Sequence, residues 1–243
     1  MTADRAKYHN DFVRIFPPHA ADLNVFYQVT DSILAMFDDR AEAEGYASAT
    51  SISKSSKVFQ SINFSKRKNS LLKSSGPQEY VLKKQVDGLL CTDGVLDYSS
   101  QLNLVIYTYR YRNQYICLDT NLNVVRFGKT IDTTSVAKIS VSEMHGKITM
   151  AKPPLMVNRE AYVYGKYLFV HSNLMARNES LENFKNNSVV DVYDLSNASY
   201  RFSFYVENYN GLKMQQFKVS GLSFIALFRD VVVKYDLPSR YFP

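Results

Sequence analysis

The residues with the greatest capacity for recognition chemistry lie in one stretch, Asn103 to Leu118, reading NLVIYTYRYRNQYICL. Within it Tyr107, Tyr109 and Tyr111 alternate with Thr108, Arg110 and Arg112. A period of two sends alternate side chains to opposite faces of a strand, so the tyrosines share one face and the arginines the other. Tyrosine rings beside guanidiniums can stack on a sugar or a peptide and form cation–π contacts. The competing use of that face is packing against another sheet, with the arginines on its solvated reverse. A second candidate is the run Lys66-Arg67-Lys68. Clustered cations bind phosphates or acidic surfaces by releasing counterions, but Lys also blunts a sheet edge.

Neither metal chemistry nor nucleophilic catalysis has a recognisable signature. His9, His19, His145 and His171 stand far apart, and HExxH, HxH, CxxC and EF-hand spacings are absent. His171 ends an apolar run, which predicts a structural histidine. No GxSxG occurs, and Ser220-Gly221 reads as a strand ending and turn. Cys91 and Cys117 lie in apolar contexts, as buried inert thiols or as a bridge between neighbouring strands. GxxxxGKS and GxGxxG are also missing, so no phosphate cradle is encoded. We therefore expect no catalytic residue, no metal ligand and no cofactor. Four Asn-x-Ser triplets, at Asn63, Asn178, Asn186 and Asn197, are read as chance in an Asn- and Ser-rich chain.

The chain has 243 residues, 46% hydrophobic and 21% charged, with 14% aromatics and a formal charge of +6. That is enough apolar matter for a core, and two cysteines exclude a disulfide scaffold. The positive excess is local. Lys54, Lys57, Lys66, Arg67, Lys68, Lys73, Lys83 and Lys84 face only Glu79 between residues 51 and 84. No nucleic-acid-binding signature accompanies them, so nucleic acid is not an expected partner. No run of about 18 apolar residues encodes a transmembrane helix. The polar start, MTADRAKYHNDF, is not a signal peptide. The expected location is the cytoplasm, or the cell envelope if a leader precedes this chain.

These side chains must be positioned by strands. Residues 76–243 are rich in β-branched and aromatic residues, and three stretches repeat one order of elements. An apolar strand (LVIYTY, YLFVHS or FIALF) is followed by a connection and a second strand (YICLDT, VVDVYDL or VVVKYDL). The last two copies end identically, in Tyr193-Asp194-Leu195 and Tyr235-Asp236-Leu237, with Leu118-Asp119-Thr120 as the looser version. A strand and a glycine, Gly165 or Gly221, precede the last two openings. Outer strands NVVRFG and ASYRFSFYV follow the first two copies. The middle connection, Asn173 to Asn187, reads as an exposed polar loop. Such a meander is apolar on both faces and needs neighbours to cover them, which predicts an array of like units. The N-terminal third is less regular: Ser32 to Phe37 and Lys57 to Phe64 read as strands, and Arg40 to Gly45 as a helical turn.

Ala161 to Val206 and Gln215 to Leu237 carry this pattern most fully, and the pattern resembles the TolB-like six-bladed β-propeller family of bacterial cell-envelope lipoproteins. The fold expected is all-β: a β-propeller-like array of antiparallel four-stranded meanders forming one domain over 1–243, with 1–75 as an irregular first blade. At roughly 40–50 residues per blade the length supplies about five blades, one short of six. The repeated meanders, the rich aromatics and the absence of catalytic motifs point to a non-catalytic, propeller-like binding module that presents loops to a protein or glycan partner. Two other readings stay open: a propeller hydrolase or lyase with a central divalent metal, and an anionic-polymer binder using the basic segment 51–84.

Overall fold

The structure, a computed structural model, describes residues 82–83, 85–86, 90–144, 147–229 and 231–242, with backbone alone for 144, 147 and 148. It also gives the backbone of six short strands between 12 and 73. These are β1 (Phe12–Arg14), β2 (Tyr27–Gln28), β3 (Glu42–Ala43), β4 (Tyr46–Ala47), β5 (Ile62–Ser65) and β6 (Ser70–Lys73). Lys66-Arg67-Lys68, Ser32 to Phe37, His9, His19 and His145 lie outside the described residues. Further along come β7 (Gly94–Ser99), β8 (Leu104–Tyr109), β9 (Gln114–Leu118), β10 (Val124–Lys129), β11 (Val141–Met144) and β12 (Lys147–Met150). Then follow β13 (Asn158–Tyr164), β14 (Tyr167–Ser172), α1 (Leu181–Asn186), β15 (Asn187–Asp194) and β16 (Ser199–Glu207). Last are β17 (Gln216–Ser220), β18 (Ser223–Phe228) and β19 (Val231–Asp236).

Apart from α1 and one short 3-10 turn the described elements are strands, in a propeller-like array of antiparallel meanders. Sheet I is β3-β4-β5-β6, sheet II β7-β8-β9-β10, sheet III β13-β14-β15-β16, and sheet IV β17-β18-β19. A separate hairpin, β11-β12, lies between sheets II and III in the chain. β13 lies beside β7 on one side and β17 on the other, so the first strands of three successive sheets run as neighbours. Glu42–Ala43 is strand where the sequence reads as a helical turn; six residues are too few to hold a helix against pairing with β4.

The faces between sheets II and III and between sheets III and IV are dry because each sheet covers the next. Ile106, Tyr115 and Cys117 of sheet II meet Ala161, Val163, Leu168, Val170 and Tyr193 of sheet III in one cluster. Phe169, Val190, Val192, Phe204 and Val206 on the other face of sheet III meet Phe217, Phe224, Ala226, Val233 and Tyr235 of sheet IV. Polar contacts pin the first pair of sheets. Asp97 Oδ2 accepts from Val163 N at 2.6 Å, and Arg126 donates to the Leu195 carbonyl at 2.8 Å. The Tyr193 hydroxyl accepts from Ile131 N at 3.0 Å. Fully burying one such aromatic contributes roughly 1.5–3 kcal/mol, and thirteen are buried among the described residues.

The repeat in the sequence is a repeat in space. Tyr193 pairs with Leu168 and Tyr235 with Phe224, each opposite the second residue of its partner strand, as Leu118 is opposite Val105. Both tyrosines point toward the preceding sheet. Leu195 and Leu237 are buried, and their N–H groups donate to the carbonyls of Lys166 and Leu222 at 2.8 and 2.7 Å. Those carbonyls follow Gly165 and Gly221, both left-handed, at φ 60° and 58°. Only the aspartates differ. Asp194 Oδ1 caps its turn by accepting from Ser196 N at 2.9 Å, whereas Asp236 is exposed beside Lys234 at 3.3 Å. A Cβ at 221 would meet open space, so Gly221→Ala should lose only the backbone term, about 1 kcal/mol by urea titration. A loss of 3 kcal/mol would contradict that conformation.

Two strands come from elsewhere in the chain. β2 pairs antiparallel with β19, completing sheet IV to four strands, and β1 pairs in parallel with β16 as a fifth strand of sheet III. Unpaired edge groups would otherwise face solvent there. The polar connection after β14 contains α1, whose Ser180 cap accepts from Asn183 N at 3.0 Å.

Candidate functional site

Sheets II, III and IV begin or turn at one common end, and the turns there leave a cleft of about 710 Å³. Its walls are Arg110 and Tyr111 after β8, Pro153, Pro154 and Met156 before β13, and Arg159 and Glu160 in β13. Asn173 after β14 and Gln215 and Gln216 at the start of β17 complete it. The backbone around it is tightly tied. Val157 N and Asn158 N both donate to the Arg110 carbonyl, at 2.9 and 3.0 Å. The buried Asn158 amide donates to the carbonyls of Tyr109 and Arg112 at 2.7 and 3.1 Å. Asn173 Nδ2 donates to the Met156 carbonyl at 3.3 Å.

The two arginines of the wall differ in state. Arg110 Nε donates to Asp93 Oδ2 at 3.1 Å, and its guanidinium also donates to the Arg159 carbonyl. Its side chain is 14% exposed, so it is a fixed, charge-compensated part of the wall. Arg159 is half-buried, and among the described residues no ion pair takes its guanidinium. Burial, and after it the positive charge of Arg159, lowers the pKa of both His171 and Lys213. Lys213 itself donates to the Phe184 carbonyl at 2.8 Å and sits over that ring at 4.3 Å.

Of the five residues singled out in Asn103–Leu118, the structure brings Arg110 and Tyr111 to the cleft. Tyr107 and Tyr109 are 0% exposed and Arg112 is 1% exposed. For the two tyrosines the reason is architectural: β8 is an interior strand whose residues from Val105 to Tyr109 are all buried, so it has no solvated reverse, and Arg112 lies beyond its end, in the turn to β9. Tyr107 and Tyr109 pack edge to face, centroids 5.2 Å apart, in a cluster with Leu82, Val105, Ile116 and Leu118. Arg112 stacks on Tyr109 at 3.6 Å and donates to the Lys83 carbonyl at 3.2 Å. Burial raises the pKa of Tyr107, Tyr109 and Tyr111, so all three are neutral phenols at physiological pH.

Cys91 and Cys117 are buried free thiols, not a bridge, and burial pushes Cys117 up to about 11. Among the described residues no three His, Cys, Asp or Glu side chains gather as a metal-ligand set. No helix among them is long and apolar enough to cross a membrane.

His171 is structural. It is buried at the end of β14, its Nδ1 has no hydrogen-bond partner, and burial, reinforced by Arg159 and Lys213, lowers its pKa to about 3. The unfolded chain titrates at its ordinary value near 6.5, so below that pH it takes up a proton that the folded chain refuses. Stability from this residue is complete above pH 6.5 and falls by about 1.4 kcal/mol per unit toward pH 3. Urea titrations at pH 7 and pH 5 should show that slope, and His171→Leu should remove it. An identical slope in both proteins would contradict the assignment.

Sequence reasoning missed Arg159, Glu160, Asn173, Gln215 and Gln216, because they come together only through the meeting of three sheet ends. The one available signal is polar residues standing just before or just after apolar strands.

No protein-family model and no curated protein matches the chain. Among solved structures, a member of the DUF4221 family from Bacteroides vulgatus is similar at a TM-score of 0.34 and 11% identity, over 69% of this chain and 53% of that one. The β-propeller domain of Cps50 (Swd1) from Myceliophteria thermophila is similar at a TM-score of 0.29 and 5% identity, over 73% and 65%. The chain thus spans about half the length of the first and 65% of the second.

Proposed function

We propose that this chain is a non-catalytic interaction module of the TolB-like propeller kind, which recognises a protein or glycan partner with the cleft end of its sheets. The observation that carries this reading is the cleft itself: turns of three successive meanders converge on one open, polar cavity of about 710 Å³. Rigid sheets hold such turns in place while leaving their tips free to vary, which suits recognition. The opposite end offers a smaller recess of about 280 Å³ around Gly165, Lys166, Gly221 and Leu222, less suited to hold a partner.

Peptide and glycan arrays test the reading with three proteins: the parent, a cleft variant (Asn173→Ala with Gln215→Ala), and an opposite-end variant (Lys166→Ala with Leu222→Ser). Array signals should vanish with the first variant and survive the second. The reverse pattern, or silence of the parent on both arrays, would overturn it.

A further inference from the structure

We propose that the cleft takes an acidic peptide segment, whose side-chain carboxylate meets the guanidinium of Arg159. This rests on the cleft being the recognition surface and adds the chemistry of what enters it. Arg159 lines the cleft half-buried and, among the described residues, without an ion pair, whereas the charge of Arg110 is answered by Asp93. A guanidinium that is partly dehydrated and uncompensated is a ready bidentate donor to a carboxylate. Glu160, the carboxylate in the lining, is already engaged by an interaction of its own.

Two further features favour a peptide over an acidic sugar. Gln215 and Gln216 supply amides that can both donate to and accept from peptide groups, and Pro153, Pro154 and Met156 offer apolar surface to flanking aliphatic side chains. The one aromatic ring of the lining, Tyr111, is 5% exposed and packed against Cys91, Ala137 and Ile139. It presents no open face for a sugar to stack upon.

The full chain, immobilised, is panned against a random dodecapeptide phage library. Enriched sequences are then synthesised and titrated by fluorescence anisotropy, with tetragalacturonate as a separate acidic-glycan arm. Enrichment of Asp or Glu beside aliphatic residues is expected, with Arg159→Gln weakening those peptides by about tenfold or more and Arg159→Lys by less. Gln215→Lys, at an exposed position, should tighten them severalfold and keeps the test decisive should Arg159→Gln fail to fold. Enrichment of neutral or basic peptides, no enrichment, or acidic peptides indifferent to both substitutions would overturn the proposal. Arg159-dependent binding of tetragalacturonate alone would overturn the peptide assignment while leaving the cleft as the recognition surface. Acidic peptides lost only with Lys166→Ala and Leu222→Ser would overturn both.

Discussion

Replacing Gly128 by alanine is expected to destabilise the protein by about 3 kcal/mol or more, because one added methyl group would stand inside the ring of Tyr115. Gly128 on β10 is the direct cross-strand partner of Tyr115 on β9, and the tyrosine lies flat across the space a side chain would need. The ring cannot swing away. It is 0% exposed, caught between sheets II and III, with Tyr193 at 5.9 Å between centroids. Its hydroxyl is buried without a hydrogen-bond partner, so no polar contact is given up when the ring is shortened. Tyr115→Leu in the Gly128→Ala background should therefore recover part of the loss, a non-additive pair. Urea unfolding checks both. A Gly128→Ala protein within about 0.5 kcal/mol of the parent would mean that Tyr115 is free to move, and the junction of the two sheets loose.

Phe224→Ala should cost about 3–5 kcal/mol, the usual range for emptying a fully packed aromatic position. Phe224 is 0% exposed at the centre of the junction between sheets III and IV. It stacks on Phe217 at 5.0 Å and 14°, and meets Phe204 of the other sheet edge to face at 5.3 Å and 88°. Tyr235 closes the group at 6.3 Å. No exposed loop can collapse into the space left behind, since all these neighbours sit on paired strands. Thermal or urea unfolding reads the effect, and a loss below about 1 kcal/mol would place Phe224 at a yielding surface instead.

The order β8-β9-β10, and again from β13 onward, is legible in the sequence because the hydrophobic periods and turn residues are local, whereas β7 and the hairpin β11-β12 go unread. The equivalence of Tyr193 with Tyr235, and of Gly165 with Gly221, follows from the same local signals and survives in register, burial and backbone angle. The two-faced burial of β8 is not local. Alternation of Tyr107 and Tyr109 with Thr108 looks the same whether one face is wet or both are dry, and the Arg110 and Arg112 that prolong it in the sequence lie beyond the end of the strand. The partners of β19 and β16 are equally hidden. Two or three residues such as Tyr27–Gln28 and Phe12–Arg14 carry no recognisable pattern, and their pairing spans nearly the whole chain. The cleft is hidden for the same reason, since Arg110, Arg159 and Gln215 are brought together by tertiary packing alone.

All of this depends on successive meanders shielding one another face to face. A double-mutant cycle across one junction, Phe204→Ala with Phe224→Ala, measures that contact most directly. We expect the double variant to lose less than the sum of the single losses, with a coupling of about 1 kcal/mol. Single losses that add within about 0.3 kcal/mol would show two residues that do not touch, and sheets III and IV would then not be packed as described.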